Sequence, residues 1–377
     1  MANKAIKYRL YPTDEQRIMF AKTFGCCRKV YNLMLADKIK CYDETKEFGK
    51  QTPAMYKDEY PYLKEVDSLA LANVQLNLQS AIKSCFDKGR KKRNRFPVFK
   101  SAKHSKRSYT TNNQNGTVGI IDNAYIRLPK IGNVKAVIHR EPEDGWVLKS
   151  ATVSQDGAGS YFASVLFVYD ASIESIPLSN NVIGLDYSSA HLYMDDRGNR
   201  GTNHKYFKES QEKLAREQRR LSRRKGAKKG EEKSRNYNKQ CLKVNKIHRH
   251  IANQRLDNLH KTSTAIAKQY DVVCVESLNM KAISNKKHKN GKATMDNGYG
   301  IFLNMLQYKL EDRGKYFIKV PWNYASSQIC HNCGCVHSEM KDLKNRTIEC
   351  NCGLKMDRDQ NAAINIRNEG LRLLREA

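Results

Sequence analysis

Val182-Ile183-Gly184-Leu185-Asp186 decides the fold of the second half of this chain. The first four residues have the length and character of a buried strand, and the run ends on a carboxylate. Val272-Val273-Cys274-Val275 repeats the arrangement and leads into Glu276. An acid at the end of an apolar strand sits at a sheet edge, where crossover connections leave a crevice. Between the two runs, residues 205–250 hold 17 Lys/Arg and five Glu. Apolar spacing is sparse there until Ile247, Ile251, Leu259 and Ile266, which fit one helix face. This predicts two long basic helices joined by Lys225-Gly226-Ala227-Lys228-Lys229-Gly230. Leu192-Tyr193-Met194, with Arg197-Gly198-Asn199 as a turn, makes a hairpin partner for the first strand. A helix near 301–313 and a strand at Phe317-Ile318-Lys319-Val320 follow Glu276. Strand, basic helices, strand, helix, strand is the layout of a mixed sheet with helical crossovers.

Upstream, Lys4-Ala5-Ile6-Lys7-Tyr8-Arg9-Leu10-Tyr11 alternates apolar and basic residues and is stopped by Pro12, so it reads as a strand. Thr13 with Gln16 is a capping-box signature. Phe20, Phe24, Cys27, Tyr31 and Leu35 then recur at helical spacing, as do Val74, Leu78, Ile82 and Cys85, and a helical segment is expected over 12–87. Between 108 and 170 the period changes. Val118-Gly119-Ile120-Ile121, Tyr125-Ile126-Arg127-Leu128, Val134-Lys135-Ala136-Val137-Ile138, Trp146-Val147-Leu148 and Tyr161-Phe162-Ala163-Ser164-Val165 are short β-rich runs at roughly ten-residue spacing, the pattern of a small barrel or sandwich. The N-terminal strand can join it, which makes the helical segment an insertion.

The 377 residues carry 68 Lys plus Arg against 39 Asp plus Glu, a formal net charge of +29. A field of that size attracts polyanions. No run approaches the roughly 18 apolar residues of a membrane span, and no basic amphipathic helix has a clean Trp/Phe/Leu face. Nucleic acid is the polyanion that remains. Residues 88–107 hold ten Lys/Arg and no Asp or Glu, with Phe96, Pro97 and Phe99 among them. Such a run cannot pack into a core. It is either a solvated linker or a phosphate-contacting arm, and a plain linker has no reason to exclude carboxylates.

Met1-Ala2-Asn3-Lys4-Ala5-Ile6-Lys7-Tyr8 lacks the apolar stretch of a secretory signal. The eleven cysteines are therefore read in a reducing compartment, where clustered cysteines bind metal more often than they form disulfides. Cys26, Cys27, Cys41, Cys85, Cys241 and Cys274 are scattered and read as small buried hydrophobes. Cys330-x2-Cys333 and Cys350-x-Cys352 are different. They supply four thiolates across a sixteen-residue gap, suited to one tetrahedral Zn2+. Gly334 and Gly353 follow a ligand in each half, as knuckle turns need. Cys335, His331 and His337 are competing donors outside the chosen set. Four protein ligands make such a zinc structural.

Asp357-Arg358-Asp359-Gln360-Asn361-Ala362-Ala363 opens a C-terminal helix just after the cysteines. Strand-end and helix-start acids are usually caps or solvated residues, and Asp195, Asp196 and Asp271 are read that way. Asp186, Glu276 and Asp359 together are not, because gathering three carboxylates is costly unless cations neutralise them. Mg2+, a hard ion that prefers oxygen ligands, suits the set. Two such ions about 3.5–4 Å apart would serve an in-line phosphodiester cleavage. Asp357 either caps the helix or supports the metal site.

Ile183-Gly184-Leu185-Asp186-Tyr187-Ser188, Val275-Glu276-Ser277-Leu278-Asn279 and Asp357-Arg358-Asp359-Gln360-Asn361-Ala362-Ala363 resemble the three RuvC motifs of the transposon-encoded TnpB family, relatives of type V CRISPR effectors. Ile6-Lys7-Tyr8-Arg9-Leu10-Tyr11-Pro12, Phe96-Pro97-Val98-Phe99-Lys100-Ser101, Leu128-Pro129-Lys130-Ile131-Gly132 and Ser327-Gln328 are also similar to that family, in the same order. The short second half of the cysteine set is similar to its zinc ribbon. The first motif departs from the commoner Asp-Leu-Gly form, with Asp186-Tyr187-Ser188 here.

The resemblance implies a multidomain α+β and α/β chain. A small wedge-like β-barrel would span 1–11 and 108–175, interrupted by a helical recognition domain at 12–107 with its basic arm at 88–107. An RNase H-like RuvC domain would follow at 176–325, with basic helices at 205–268, a zinc-ribbon insertion at 326–353 and a closing segment at 354–377. The implied activity is RNA-guided DNA cleavage. The partners are a guide RNA from the transposon end and double-stranded target DNA read beside a short adjacent motif. Asp186, Glu276 and Asp359 would hold Mg2+ and do the hydrolysis, in the prokaryotic cytoplasm or nucleoid, with one chain per RNA or a dimer. Lys91, Lys92, Arg93 and Arg95 of the arm, and Arg219, Arg220, Arg223 and Arg224 of the basic helices, would line the nucleic-acid channel. The alternative is a nuclease-inactive RNA-guided DNA-binding repressor; decay of the site should remove an acid, and none is missing. A transposase that itself joins DNA would need strand-transfer machinery that the sequence does not display.

Overall fold

The computed structural model of the chain describes residues 2–87, 89, 95–170, 174–179, 181–225, 233–284 and 291–376. It divides into two compact units, residues 1–171 and 172–377. No described helix is long and apolar enough to cross a membrane.

In the first unit, β1 (Ala2–Tyr11) buries Ile6, Tyr8 and Leu10 on one face, as its alternation requires. Thr13 then starts α1 (Asp14–Thr45) through the expected capping box: its hydroxyl accepts from Gln16 N while its own N–H donates to the Gln16 amide oxygen. Asp67 caps α2 (Ser68–Phe86). Strands β2 (Arg107–Asn112), β3 (Gly119–Ile121), β4 (Tyr125–Leu128), β5 (Gly132–Val137), β6 (Val147–Gln155) and β7 (Tyr161–Tyr169) join β1 in one antiparallel sheet of order β2-β6-β7-β1-β5-β4-β3. The N-terminal strand is central, paired to β7 on one side and β5 on the other. The sheet is curled, and the two ends of that order, β2 and β3, do not pair among the described residues. Strand β2 has no apolar run to announce it. It is a strand because it pairs with β6 along six residues, turning Tyr109 and Thr111 inward.

The segment 12–107 is an insertion between β1 and β2 in sequence, yet it shares one core with the sheet. Phe20 stacks on Tyr161 at 5.3 Å and Phe24 tilts against Tyr109 at 5.9 Å. The Thr111 hydroxyl donates to the same Asp67 carboxylate that caps α2.

The second unit opens with the hairpin β8 (Val182–Tyr187) and β9 (Tyr193–Asp195), and continues through the basic helices α3 (Tyr206–Arg223) and α4 (Arg235–Gln269) to β10 (Val272–Glu276). Short helices α5 (Met280–Ile283) and α6 (Gly291–Asn297) precede α7 (Tyr299–Glu311) and β11 (Tyr316–Val320). A small hairpin, β12 (Thr347–Glu349) and β13 (Lys355–Asp357), leads into α8 (Arg358–Glu376). The main sheet has the order β11-β10-β8-β9, with β8, β10 and β11 parallel and β9 antiparallel. This is the mixed sheet with helical crossovers that the strand runs predict. The four apolar residues of β8 and of β10 are buried because both faces are covered, as parallel strands require. Ile183, Leu185, Val273 and Val275 pack with Leu259 and Ile266 of α4 and Phe302 and Leu306 of α7. Val182, Val272 and Cys274 pack with Ile366 of α8.

Candidate active site and cysteine centre

Parallel pairing sets the first two acids side by side. Leu185 pairs with Val275, so Asp186 and Glu276, one residue on in each strand, leave the same edge of the sheet. Asp186 sits far above the usual carboxylate range, first because burial penalises its charge and then because Glu276 and Asp359 add their negative fields; Arg358 offsets a part. Burial alone raises Glu276. The three motifs thus converge on one acidic locus.

Helix α8 supplies the third acid. Asp357 Oδ1 accepts from the backbone N–H groups of Asp359 at 2.8 Å and Gln360 at 3.3 Å, which is the geometry of an N-cap. Its other oxygen lies 3.8 Å from Arg200. Asp357 thus caps the helix, while Asp359 contributes charge that Asp186 feels. Asp359 itself has Arg346 at 3.6 Å.

The helix can approach because residue 184 is glycine. A Cβ there would fall on the carbonyl oxygen of Ala363 and within 2.8 Å of the Arg367 Cβ. At Gly370 a Cβ would meet the Cys274 thiol. Arg367 closes the contact with a 2.7 Å ion pair to the buried Asp196, whose second oxygen accepts from Gly184 N at 3.3 Å. The first motif's glycine is therefore a seat for the third motif's helix. Gly184→Ala is expected to cost about 1–3 kcal/mol by overpacking, and the resulting shift of Asp359 to lower any cutting activity about a hundredfold. Urea unfolding tests the first figure; an unchanged midpoint would mean that α8 does not rest on this residue.

Beneath the acids lies a group without a partner. Tyr299 is fully buried, its hydroxyl has no hydrogen bond among the described residues, and Asp186 and Glu276 raise its pKa further above the level that burial sets. Its ring is 5.0 Å from that of Tyr187. Asn297 donates to the carbonyls of Ser188 at 3.0 Å and His191 at 2.8 Å, tying down the loop after β8. The donor set is thus three carboxylates of hard oxygen, partly dehydrated, with Arg358 and Arg346 as nearby cations and the Tyr299 hydroxyl close by. It fits a hydrated divalent cation such as Mg2+. Among the described residues these oxygens do not crowd within 4.8 Å of one another.

The cysteines do crowd. Cys330, Cys333, Cys350 and Cys352 place their sulfurs within 4.8 Å of one another, with Cys330–Cys352 at 3.7 Å and Cys333–Cys350 at 3.4 Å. Disulfide sulfurs lie at about 2.05 Å, whereas Zn–S bonds of about 2.3 Å in a tetrahedron put sulfurs roughly 3.8 Å apart. The separations match the second case, so the four residues fit one zinc ion. Gly334 and Gly353 both take left-handed φ, 78° and 89°. Each donates its N–H to the carbonyl of the cysteine opening its knuckle, at 2.9 Å. The centre is tied to α8 through two buried amides. Asn361 Oδ1 accepts from His331 N at 3.1 Å and its Nδ2 donates to Ile329 O at 2.7 Å; Asn365 Nδ2 donates to Ser326 O and Ile329 O at 2.8 and 2.6 Å. Asn361 lies two residues beyond Asp359.

The acids read as structural have structural partners. Asp195 accepts three bonds across the Arg197-Gly198-Asn199 turn; Asp271 pairs with Lys315 at 3.0 Å and accepts from Ser179. The basic candidates divide. Lys91, Lys92 and Arg93 lie outside the described residues, as does all of the 225–230 linker but Lys225, while Arg95 is exposed. Arg220 pairs with Glu217 at 2.7 Å along α3, and Arg224 donates to the buried Gln240 of α4 at 3.1 Å. Arg219 and Arg223 stand exposed on α3. A basic surface that motif reading did not single out lies on the outer face of the first unit's sheet. There Lys7 and Arg9 sit 4.4 and 4.9 Å above the Phe162 ring. The alternation in β1 was the available signal.

Three family models match the chain: a helix-turn-helix domain of the OrfB_IS605 type over residues 1–47, OrfB_IS605 itself ("Probable transposase") over 167–287, and "Cas12f1-like, TNB domain" over 299–366. A Streptomyces pristinaespiralis protein, provisionally named an RNA-guided DNA endonuclease, is 31% identical over 98% of this chain and 89% of its own length. InsQ of Escherichia coli (strain K12), named in the same provisional way, is 29% identical over 88% of this chain and 83% of its own. In a cryo-EM structure of a Cas12f1–sgRNA–target DNA complex, one chain overlays 98% of this one at 14% identity and a TM-score of 0.35.

Proposed function

The chain belongs to the TnpB family, and from that premise we propose that it is an RNA-guided DNA endonuclease whose hydrolytic site is Asp186, Glu276 and Asp359. The observation that supports this most is the strand register, which aligns Asp186 with Glu276 at one sheet edge while α8 adds the charge of Asp359. Asp186 and Glu276 would hold the cation from the sheet edge, and their burial makes them poor at holding charge without one. Asp359 would add its carboxylate from a helix whose first turn is fixed by the Asp357 cap. When bound, Mg2+ supplies the Lewis-acid neutralisation of charge developing on the phosphate. Lys7, Arg9 and Phe162 offer phosphate contact and stacking for an RNA strand. Arg95 in the first unit and Arg219 and Arg223 in the second are further exposed cations, and binding should weaken steeply with salt. Base pairing with the guide would choose the target sequence, and the protein would read only a short flanking motif.

The test is direct. The chain is purified with RNA from its own locus, supplied with Mg2+ and offered a plasmid library carrying randomised target-flanking bases. Cutting beside one flanking motif, lost in Asp186→Ala, is the expected result. If no flank supports cutting, or the variant cuts as well as the parent, the reading fails.

A further inference from the structure

Within the second unit a cleft of about 960 Å3 opens beside Glu276, between α5 and α7 and under the end of β11. Glu276 pairs with Val320 across β10 and β11, and Ser277 N donates to Val320 O at 3.1 Å. The chain beyond β11 therefore leaves the sheet at the edge that carries the acid. Two residues on is Trp322, 80% exposed. Only one other tryptophan is present; that residue, Trp146, lies flat on Tyr169 at 4.6 Å. Solvating a ring as large as indole is unfavourable and asks for a partner. Lys281 and Lys319 line the same cleft with no carboxylate partner among the described residues; Lys319 donates to the Gln307 amide oxygen at 3.3 Å and lies 5.4 Å over the Phe317 ring. Asn279 and Asn304, both exposed, complete its polar lining.

We propose that this cleft is a subsite for unpaired nucleotides of the DNA strand being cut, with Trp322 as its base-stacking platform and Lys281 and Lys319 as its phosphate contacts. The proposal rests on the nuclease reading for what Glu276 does, but not for what Trp322 binds. A flat aromatic face beside cations is the chemistry that holds single-stranded nucleic acid without reading its sequence. Base faces are open to such a platform only when the strand is unpaired, so duplex is rejected. A volume near the top of the roughly 300–1,000 Å3 range of small-molecule sites leaves room for more than one nucleotide. The subsite would hold the strand on one side of the scissile phosphate, with Glu276 at its inner end.

Because the chain has two tryptophans, the platform carries its own probe. In full-length protein with Asp186→Asn to prevent cutting and Trp146→Phe to leave one indole, a single-stranded deoxyoligonucleotide is expected to quench Trp322 emission. The same sequence as a blunt duplex should leave it unchanged. Trp322→Ala in the otherwise native chain should weaken single-strand binding roughly 5- to 150-fold, the cost of losing one or more stacked bases, and Trp322→Phe should restore most of it. The exposure of Trp322 makes unfolding by these changes easy to exclude from melting curves. Equal quenching by duplex, no quenching at saturation, or an alanine variant that binds as tightly as the parent overturns the proposal. So does stronger quenching by an RNA oligonucleotide, which would assign the platform to the guide. Quenching needs no cutting, so an inactive chain that still quenches would sink the nuclease reading alone.

Discussion

Asp186→Asn is expected to abolish strand cutting, by about a thousandfold or more, and at the same time to raise the melting temperature of the ion-free protein at neutral pH. Both effects have one cause. Burial and the charges of Glu276 and Asp359 lift the Asp186 pKa far above its unfolded value near 3.8. A folded pKa raised in this way stabilises the fold below the unfolded pKa, and that contribution is lost as pH rises through the folded pKa. At pH 8 in EDTA, well above the unfolded pKa, the fold carries the cost of that raised pKa, either as a charge held among carboxylates or as a proton taken up, and asparagine, near in shape, removes it. Each kcal/mol recovered should show as about 2–4 °C in a unit of this size. Mg2+ replaces the missing proton, so it should stabilise the parent at pH 8 and the variant much less. Melting curves at pH 5 and pH 8, with EDTA and with Mg2+, separate the cases. A variant that melts below the parent in EDTA at pH 8 would remove the electrostatic account of the site.

Cys330→Ser should be the most damaging substitution for folding. Cys330 is 1% exposed, at the centre of a small cluster with Met340 and Ile348. Structural zinc contributes an apparent 10–16 kcal/mol, about as much as the whole stability of an ordinary domain. The loss should not stay local. Asn361 and Asn365 hang α8 from Ile329 and Ser326 beside the first knuckle, so release of the cysteine centre should free the N-terminal turn that carries Asp359. Metal content by mass spectrometry should fall from one zinc per chain to none, folded yield should collapse, and the residual soluble protein should not cut. Soluble, zinc-free and fully active Cys330→Ser would show that the four thiolates are not a structural zinc site.

Local pattern determined much of this molecule. Apolar runs of strand length ending in Asp186 and Glu276 specify two buried parallel strands, because burial on both faces leaves no polar position until the edge. Thr13 and Gln16 specify the start of α1 by satisfying the first free N–H groups of the helix. Four cysteines with a glycine after each knuckle specify a cluster of four thiolates that could hold zinc, because the ligand geometry is contained in the spacing. Strand β2 escaped, since Arg107-Ser108-Tyr109-Thr110-Thr111-Asn112 is polar and becomes a strand only through its partner β6.

The tertiary structure decided what depends on which elements meet. The register of β8 against β10 placed Asp186 beside Glu276. The N-terminus of α8 divided Asp357, which caps, from Asp359, which faces the other acids. The approach of that helix explained Gly184, a residue whose reason lies 179 positions away at Ala363. Arg224 stands in a basic run and also reaches Gln240 of α4, a contact that no spacing along the chain announces. Periodicity and spacing report only on neighbours along the chain. Charge, shape and solvent at a site are set by groups that pairing and packing bring together from far apart in sequence.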